Sequence, residues 1–540
     1  MKTDVKPTDG AAPGPPRSWA APLLIAVLFL ATRLPCLFVL PMNSEEAIHL
    51  EWSREVRFEG RIFGSVVSDD KSPFPYWLVA PFLPRHGDGL LAGRLFGIAC
   101  GLAALLAAFC LTAEWFDRRT AWIFAALGLA SPMLLFHERM YLVEPLMGLL
   151  FVLAARYSWR LARSAGRRDA LALGAVLGLA YVSKSYGYFY AVLPLLAFVA
   201  SDRKDAAGPS PPPRRAARLL ALVYGVSLVL LVAVIAYPQI RYGRGWFHNR
   251  GYFVESSGGL AGVLAGYRHS QREILSGLWI HVTPPILAAW AGGLVLASRT
   301  RKGPLPFAAL AVLLPLLAMI AVSRVAYARY LYPYTPLLLV VAAAFLARLA
   351  GRLPARVPAA LRTWALVAAF LAWPIRTGVA EVLAPERATL PPMDAWEYVW
   401  GTLSGYGVDD VAKYLEGEAR EGPITVFTTA HIGNCRDGLV ARLWYKPNLR
   451  FRTAWWARKV GVLTPMREHG EIVAPRSRHV PDPEAISASD LPRPYFVLDV
   501  PDFPEERFLA LNPEARVVHR AFKPLGDGPA PFQIVVFQLF

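Results

Sequence analysis

The feature that most constrains this chain is a succession of apolar runs of membrane length. Eleven occur, near residues 19–40, 89–111, 120–136, 142–157, 169–183, 186–200, 217–238, 277–298, 305–322, 330–347 and 361–376. A hydrocarbon core about 30 Å thick takes roughly 20 apolar residues of helix to cross, and lipid leaves no solvent for an unpaired backbone. The runs therefore predict a multi-span α-helical membrane domain of about 11 transmembrane helices. The first run is too long for the apolar core of a signal peptide and lacks a small-residue cleavage site, so it reads as a span. Composition agrees, because only 18 % of residues are charged and 55 % are hydrophobic, where soluble domains carry about 25 % charged residues. The net charge of +17 does not indicate nucleic acid, since the arginines flank apolar runs. Of the four cysteines, Cys36, Cys100 and Cys110 lie in such runs and leave Cys435 without a partner, which excludes a disulfide scaffold.

Alternate connections are rich in Lys and Arg: Arg118/Arg119, Arg160 to Arg168, Arg203 to Arg218, Arg299 to Lys302, and Arg352/Arg356. The connections between them are nearly free of surplus positive charge. The basic set faces the cytoplasm. This predicts a multi-pass plasma (inner) membrane protein with a cytoplasmic N-terminus and outer segments at 41–88 and 239–276. Residues 1–18, polar and rich in Pro and Gly, read as a disordered cytoplasmic tail, and 19–377 as the membrane domain. From about 390 the apolar runs shorten to strand length (424–429, 495–500, 534–540), with a helix beginning near Val408. Residues 390–540 read as a small C-terminal extracytoplasmic α/β domain.

The candidate site residues share the outer face. Glu45 and Glu46 follow the first span closely, where partial desolvation raises a carboxyl toward the range of a general base. In the following helix Glu51, Glu55 and Glu59 form a row expected to be a solvated face, on a helix lying flat on the bilayer. Lys71 stands before a Pro- and aromatic-rich stretch and suits either an interface anchor or an anionic headgroup. Glu144 opens an apolar run, where an acid is expensive and hence a functional candidate. Lys184 and Arg329 sit among aromatics at comparable boundaries. His137, Glu138 and Glu144 match no specific metal-ligand spacing.

The ordered set of these segments resembles the membrane glycosyltransferases that use polyprenyl-phosphate sugars, in the branch of protein O-mannosyltransferases and the lipid A aminoarabinose transferase. The family's Asp-Glu pair is matched by Glu45-Glu46, and its Lys-Pro-Pro by Lys71-Ser72-Pro73 before Tyr76-Trp77. Arg94 matches its next-span arginine and Glu144 its acid at the fourth span. Ser183-Lys184-Ser185 matches its Thr-Lys-Gly, and Arg329-Tyr330 through Pro336 its Arg-Tyr-then-Pro segment. Positions 45 and 144 carry Glu where the family has Asp. The match runs over residues 19–430, and the last hundred residues match loosely.

The resemblance implies the C-type glycosyltransferase architecture and an inverting, lipid-phosphate-sugar-dependent transfer of a hexose or pentose to an extracytoplasmic hydroxyl. In that reading Glu45 is the base, Glu46 and Glu144 position sugar or acceptor, and Lys71, Lys184 and Arg329 hold the donor phosphate. Arg94, Tyr76, His137, Glu138 and Tyr330 support them. The implied partners are the polyprenyl-phosphate sugar, the bilayer and an acceptor protein, glycolipid or cell-wall glycan, with no nucleic acid. No cofactor is implied, and a divalent metal is left open. A transporter or flippase for an anionic lipid-linked glycan is the alternative, but it calls for ionisable residues at the bilayer midplane. A non-catalytic scaffold would make the acids mere surface charges.

Overall fold

The computed structural model describes residues 19–69, 71–201, 212–242, 259–300, 302–322, 326–354, 356–429, 434–443, 446–454, 492–499, 505–524 and 533–539. The expected tail at 1–18 and much of the 239–276 segment lie outside them.

Each of the eleven apolar runs is helical over most of its length. Several are interrupted where the sequence demands it. The first helix, Ala20–Arg33, stops before Pro35, which has no backbone N–H to continue the ladder and whose ring clashes with the turn before it. The third run breaks at Ser131-Pro132 into Arg118–Ala130 and Pro132–His137. The eighth opens with a π-helical turn, Leu278–Val282, and Pro284–Thr300 leaves Tyr267–Val282 at 102°. Because of such breaks, among the described residues five helices are individually long and apolar enough to cross a membrane, or six with the bent pair counted as one.

The helix Thr335–Arg352 forms the centre and is buried at every residue from Thr335 to Ala344. Its neighbour Pro284–Thr300 approaches through Gly292 and Gly293, where a Cβ would come within 2.5 Å of Phe345 and Val341 side-chain atoms. Small residues of this kind let membrane helices pack closely. Peripheral helices instead expose large apolar side chains outward, including Leu23, Val27 and Leu28 on Ala20–Arg33, and Leu228, Val229 and Val232 on Pro213–Tyr242. That is the expected lipid-facing surface.

The C-terminal part is a five-stranded sheet. Its strands are β1 (Ile424–Thr429), β2 (Leu449–Ala454), β3 (Pro494–Asp499), β4 (Arg516–Phe522) and β5 (Gln533–Gln538), in the order β2-β1-β3-β5-β4. β1 pairs in parallel with β2 and β3, whereas β5 pairs antiparallel with β3 and β4. The helix foreseen near Val408 spans Val408–Glu421 and buries Val408, Val411, Ala412 and Leu415. Strands β2 and β4 were not foreseen.

The α/β part rests on the segment 41–88 that follows the first run. Ser44 Oγ donates to Asp437 Oδ2 at 2.8 Å, Arg54 Nη1 donates to the Ala441 carbonyl at 2.8 Å, and Ser44 N–H bonds the Leu403 carbonyl at 2.9 Å. The helix Ser44–Phe58 is thus covered by Asn434–Leu443, and Glu51 and Glu55 are buried. This corrects the expectation of a solvated face at Glu51 and Glu55, where tertiary cover overrides the i, i+4 pattern, while Glu59 is exposed as expected.

Candidate functional site

The sequence places acidic residues at the starts of two helices, and the fold turns both starts toward one arginine. Glu45 lies in the first turn of Ser44–Phe58, whose N-terminus is fixed by a capping box between Asn43 and Glu46. Glu144 is the first residue of Glu144–Ser164, with Pro145 behind it. Arg329 projects from the tight turn Ala328–Tyr334, where Pro333 precludes an ordinary helix. Lys184 precedes the similar turn Ser185–Val192.

These four side chains meet. Arg329 Nη2 donates to Glu45 Oε1 at 2.6 Å, its Nε lies 3.7 Å from Glu144 Oε1, and Lys184 Nζ bonds that same Glu144 oxygen. The other edge of the Arg329 fork is held by the Glu397 carboxylate and by Tyr398 Oη at 3.1 Å. Aromatic faces complete the setting: Arg329 stacks 4.1 Å from the Tyr327 ring centroid, and Lys184 Nζ sits 5.2 Å from that of Tyr330. Glu144 Oε2 and Arg329 Nε are buried without a hydrogen-bond partner, so the cluster has unused capacity for a charged ligand.

Electrostatics divide the acids. Burial would raise Glu45, but Arg329 and then Lys184 outweigh it and hold the carboxyl at about 2. This corrects the expectation of a raised value, which reckoned with desolvation and not with the two cations. Burial does prevail at Glu397, pushing it up to about 8 against the pull of Arg329, with the Glu45 charge adding to the rise. With Glu397 protonated, two cations balance two carboxylates. His49, one turn after Glu45, gives its Nδ1 proton to the Tyr141 carbonyl at 2.9 Å. Burial keeps it below its ordinary value despite the Glu45 charge, leaving Nε2 with a lone pair.

The remaining candidates divide by place. Lys71 is half-exposed at the rim, 3.9 Å from Asp69, and adds to the positive field at Glu45. Tyr76 is buried against His49 and Trp52. Glu46 does not join the cluster. It takes both prongs of Arg94 at 2.8 and 2.9 Å and accepts the Tyr141 N–H at 2.9 Å, entirely buried. Glu138 likewise pairs with Arg33 at 2.8 Å and Tyr332 Oη at 2.9 Å. His137 belongs to a second group, with His281 and Asp394. Sequence reasoning missed Glu397, Tyr398 and His49. The signal for Glu397 was an acid between two tryptophans in WEYVW, and for His49 a histidine one turn from a candidate base.

Comparison with known proteins follows the same line. Residues 70–237 match the family described as dolichyl-phosphate-mannose-protein mannosyltransferase, a stretch that includes Lys71, Arg94, Glu144 and Lys184. The chain shares its fold with ArnT from Cupriavidus metallidurans bound to undecaprenyl phosphate, at 16 % identity over 95 % of this chain and 98 % of that one, with a TM-score of 0.58. The apo form of that protein matches at 16 % identity over 97 % and 99 % of the two chains, with a TM-score of 0.57. The Archaeoglobus fulgidus oligosaccharyltransferase in complex with Zn and sulfate matches at 14 % identity over 79 % and 62 %, with a TM-score of 0.50. No curated protein sequence matches significantly. The resemblance to polyprenyl-phosphate-sugar-dependent membrane glycosyltransferases is thereby shown, and the fold is that of a multi-pass membrane protein.

Proposed function

We propose that this chain is an inverting membrane glycosyltransferase that moves a hexose or pentose from a polyprenyl-phosphate donor to an acceptor hydroxyl outside the cytoplasm. The observation that carries the reading is the meeting of Glu45, Glu144, Lys184 and Arg329, 284 positions apart from first to last, in one charged cluster where Glu144 and Arg329 are buried and Glu45 and Lys184 half-buried. Its fold is shared with a protein whose structure holds undecaprenyl phosphate.

Arg329 and Lys184 are the cations a lipid-linked phosphate competes for. As the phosphate takes their hydrogen bonds, Glu45 loses its restraining partners and becomes basic. It accepts the proton of the acceptor hydroxyl while that oxygen attacks the anomeric carbon. The bond from that carbon to the phosphate oxygen breaks, and the departing polyprenyl phosphate gains one negative charge. Arg329, Lys184 and Lys71 stabilise this charge as it develops. A single displacement inverts the anomeric centre. Glu144 keeps Lys184 in place and faces the sugar or acceptor, Glu397 and Tyr398 aim the Arg329 fork, and Glu46 acts through the fold by clamping Arg94.

The distribution of Lys and Arg puts the N-terminus in the cytoplasm, and the cluster and the 390–540 domain on the outer side of the plasma (inner) membrane. Packing of that domain on Ser44–Phe58 supports a shared side. The acceptor is a protein, glycolipid or cell-wall glycan presented there. The test is Glu45→Gln assayed for transfer from a labelled polyprenyl-phosphate sugar. Loss of a proton acceptor costs about 100-fold or more, and full activity in a folded variant removes Glu45 from the role of base.

A further inference from the structure

Beside the charged cluster lies a second group of buried titratable side chains that the transfer chemistry does not use. His137 ends the short helix Pro132–His137, His281 sits in the π-helical turn Leu278–Val282, and Asp394 lies in Pro392–Ala395, three residues before Glu397. All three are fully buried, and their ligand atoms lie within 4.8 Å of one another. His281 Nε2 is 2.8 Å and His137 Nε2 3.7 Å from Asp394 Oδ2.

We propose that His137, His281 and Asp394 bind a divalent transition-metal ion, with Zn²⁺ the best fit to two imidazoles and a carboxylate. Two observations point there. First, each imidazole is oriented by a partner on its other nitrogen. His137 Nδ1 faces the Met133 carbonyl at 2.9 Å, and His281 Nδ1 faces Glu381 Oε1 at 3.0 Å. A carbonyl and a carboxylate only accept, so both Nδ1 atoms carry hydrogen and both Nε2 atoms turn inward; outer partners of this kind orient histidine ligands in metal sites.

Second, His137 Nε2, Asp394 Oδ1 and Glu381 Oε2 are buried without a hydrogen-bond partner. His137 Nε2 faces Asp394 Oδ2 at 3.7 Å, too far for a hydrogen bond and near enough for both atoms to reach one ion between them. A tetrahedral site with bonds of about 2.0–2.2 Å spaces its ligand atoms about 3.3 Å apart, which small side-chain rotations supply. The ion would tie three distant segments together directly behind Glu397 and Tyr398, and so brace the support of Arg329. It is separate from the Glu45–Glu144 cluster.

The test is elemental analysis of the full chain purified in detergent and passed through metal-free buffer. The expected result is about one equivalent of zinc per chain, retained in Glu144→Gln and lost in Asp394→Asn and His281→Gln. Cobalt taken up in its place should show the visible absorption of a four-coordinate ion, a readout independent of transferase activity. Less than a tenth of an equivalent in the wild type, with no cobalt spectrum on reconstitution, overturns the proposal. So does metal that leaves with Glu144→Gln and stays with Asp394→Asn. Should the two ligand variants fail to fold, the wild-type metal content and cobalt spectrum still decide.

Discussion

Donor binding should switch the basicity of Glu45, and its neighbours set the size of the switch. Burial favours the neutral carboxyl, yet Arg329 at 2.6 Å and then Lys184 hold it at about 2 in place of the usual 4.5. The difference is about 300-fold in proton affinity, or about 3.4 kcal/mol. A phosphate that claims both cations cancels their pull and leaves burial, so in the loaded enzyme the same group titrates above 4.5. The pH dependence of kcat/KM reports the free enzyme and that of kcat the complex. The acid limb of kcat should therefore lie at least about two pH units above any limb of kcat/KM for the donor. A labelled-sugar transfer assay run from mildly acidic to neutral pH, with Glu45→Gln as the variant that lacks the group, should show the limb in kcat while kcat/KM stays level. Coincident limbs would refute the exchange of partners at Arg329.

Glu397 should make stability fall as pH rises. Its carboxyl is raised to about 8 in the folded chain, so the stabilisation is full below its usual 4.5 and is lost on the way up through 8. The melting temperature of the wild type in detergent should decline relative to Glu397→Gln over that window, whereas parallel curves contradict it. Arg94→Met strips the Glu46 carboxylate of its bidentate partner in a site with no exposure. Removing one member of a buried pair costs about 3–5 kcal/mol, read as a lower melting temperature, and an unchanged value shows that Glu46 finds another partner. Gly405→Ala would bring a Cβ within 2.2 Å of the Met42 carbonyl oxygen. It should cost about 1–3 kcal/mol and speed limited proteolysis at the junction to the α/β domain, while Gly417→Ala, in open space inside the helix Val408–Glu421, should stabilise by about 0.5–1 kcal/mol.

Much of the architecture was legible because apolar run length is a local signal, and all eleven runs proved helical. Span count was less so, since breaks at Pro132 and at Thr283-Pro284 divide runs that hydropathy treats as continuous. The site was legible from sidedness: Glu45, Glu144, Lys184 and Arg329 were grouped because all follow from one orientation of the chain. What the sequence concealed was the partner of each charge. Glu45 and Glu46 are adjacent and chemically alike, yet one turns to Arg329 and the other to Arg94, a division made by the capping box at Asn43. Glu397 was hidden in an aromatic stretch, between Trp396 and Trp400. Strand β2 was missed because Arg450 and Arg452 break its apolar run, and β4 because most of its residues are exposed or half-buried.

The claim that the charged cluster receives a lipid-linked phosphate is tested most directly by binding. Native mass spectrometry of the purified chain with added polyprenyl phosphate, wild type against Arg329→Met and Lys184→Met, reads occupancy without any need to know sugar or acceptor. The account predicts one lipid per wild-type chain and at least a tenfold loss in each variant. Equal occupancy in all three proteins, or none in the wild type, contradicts it.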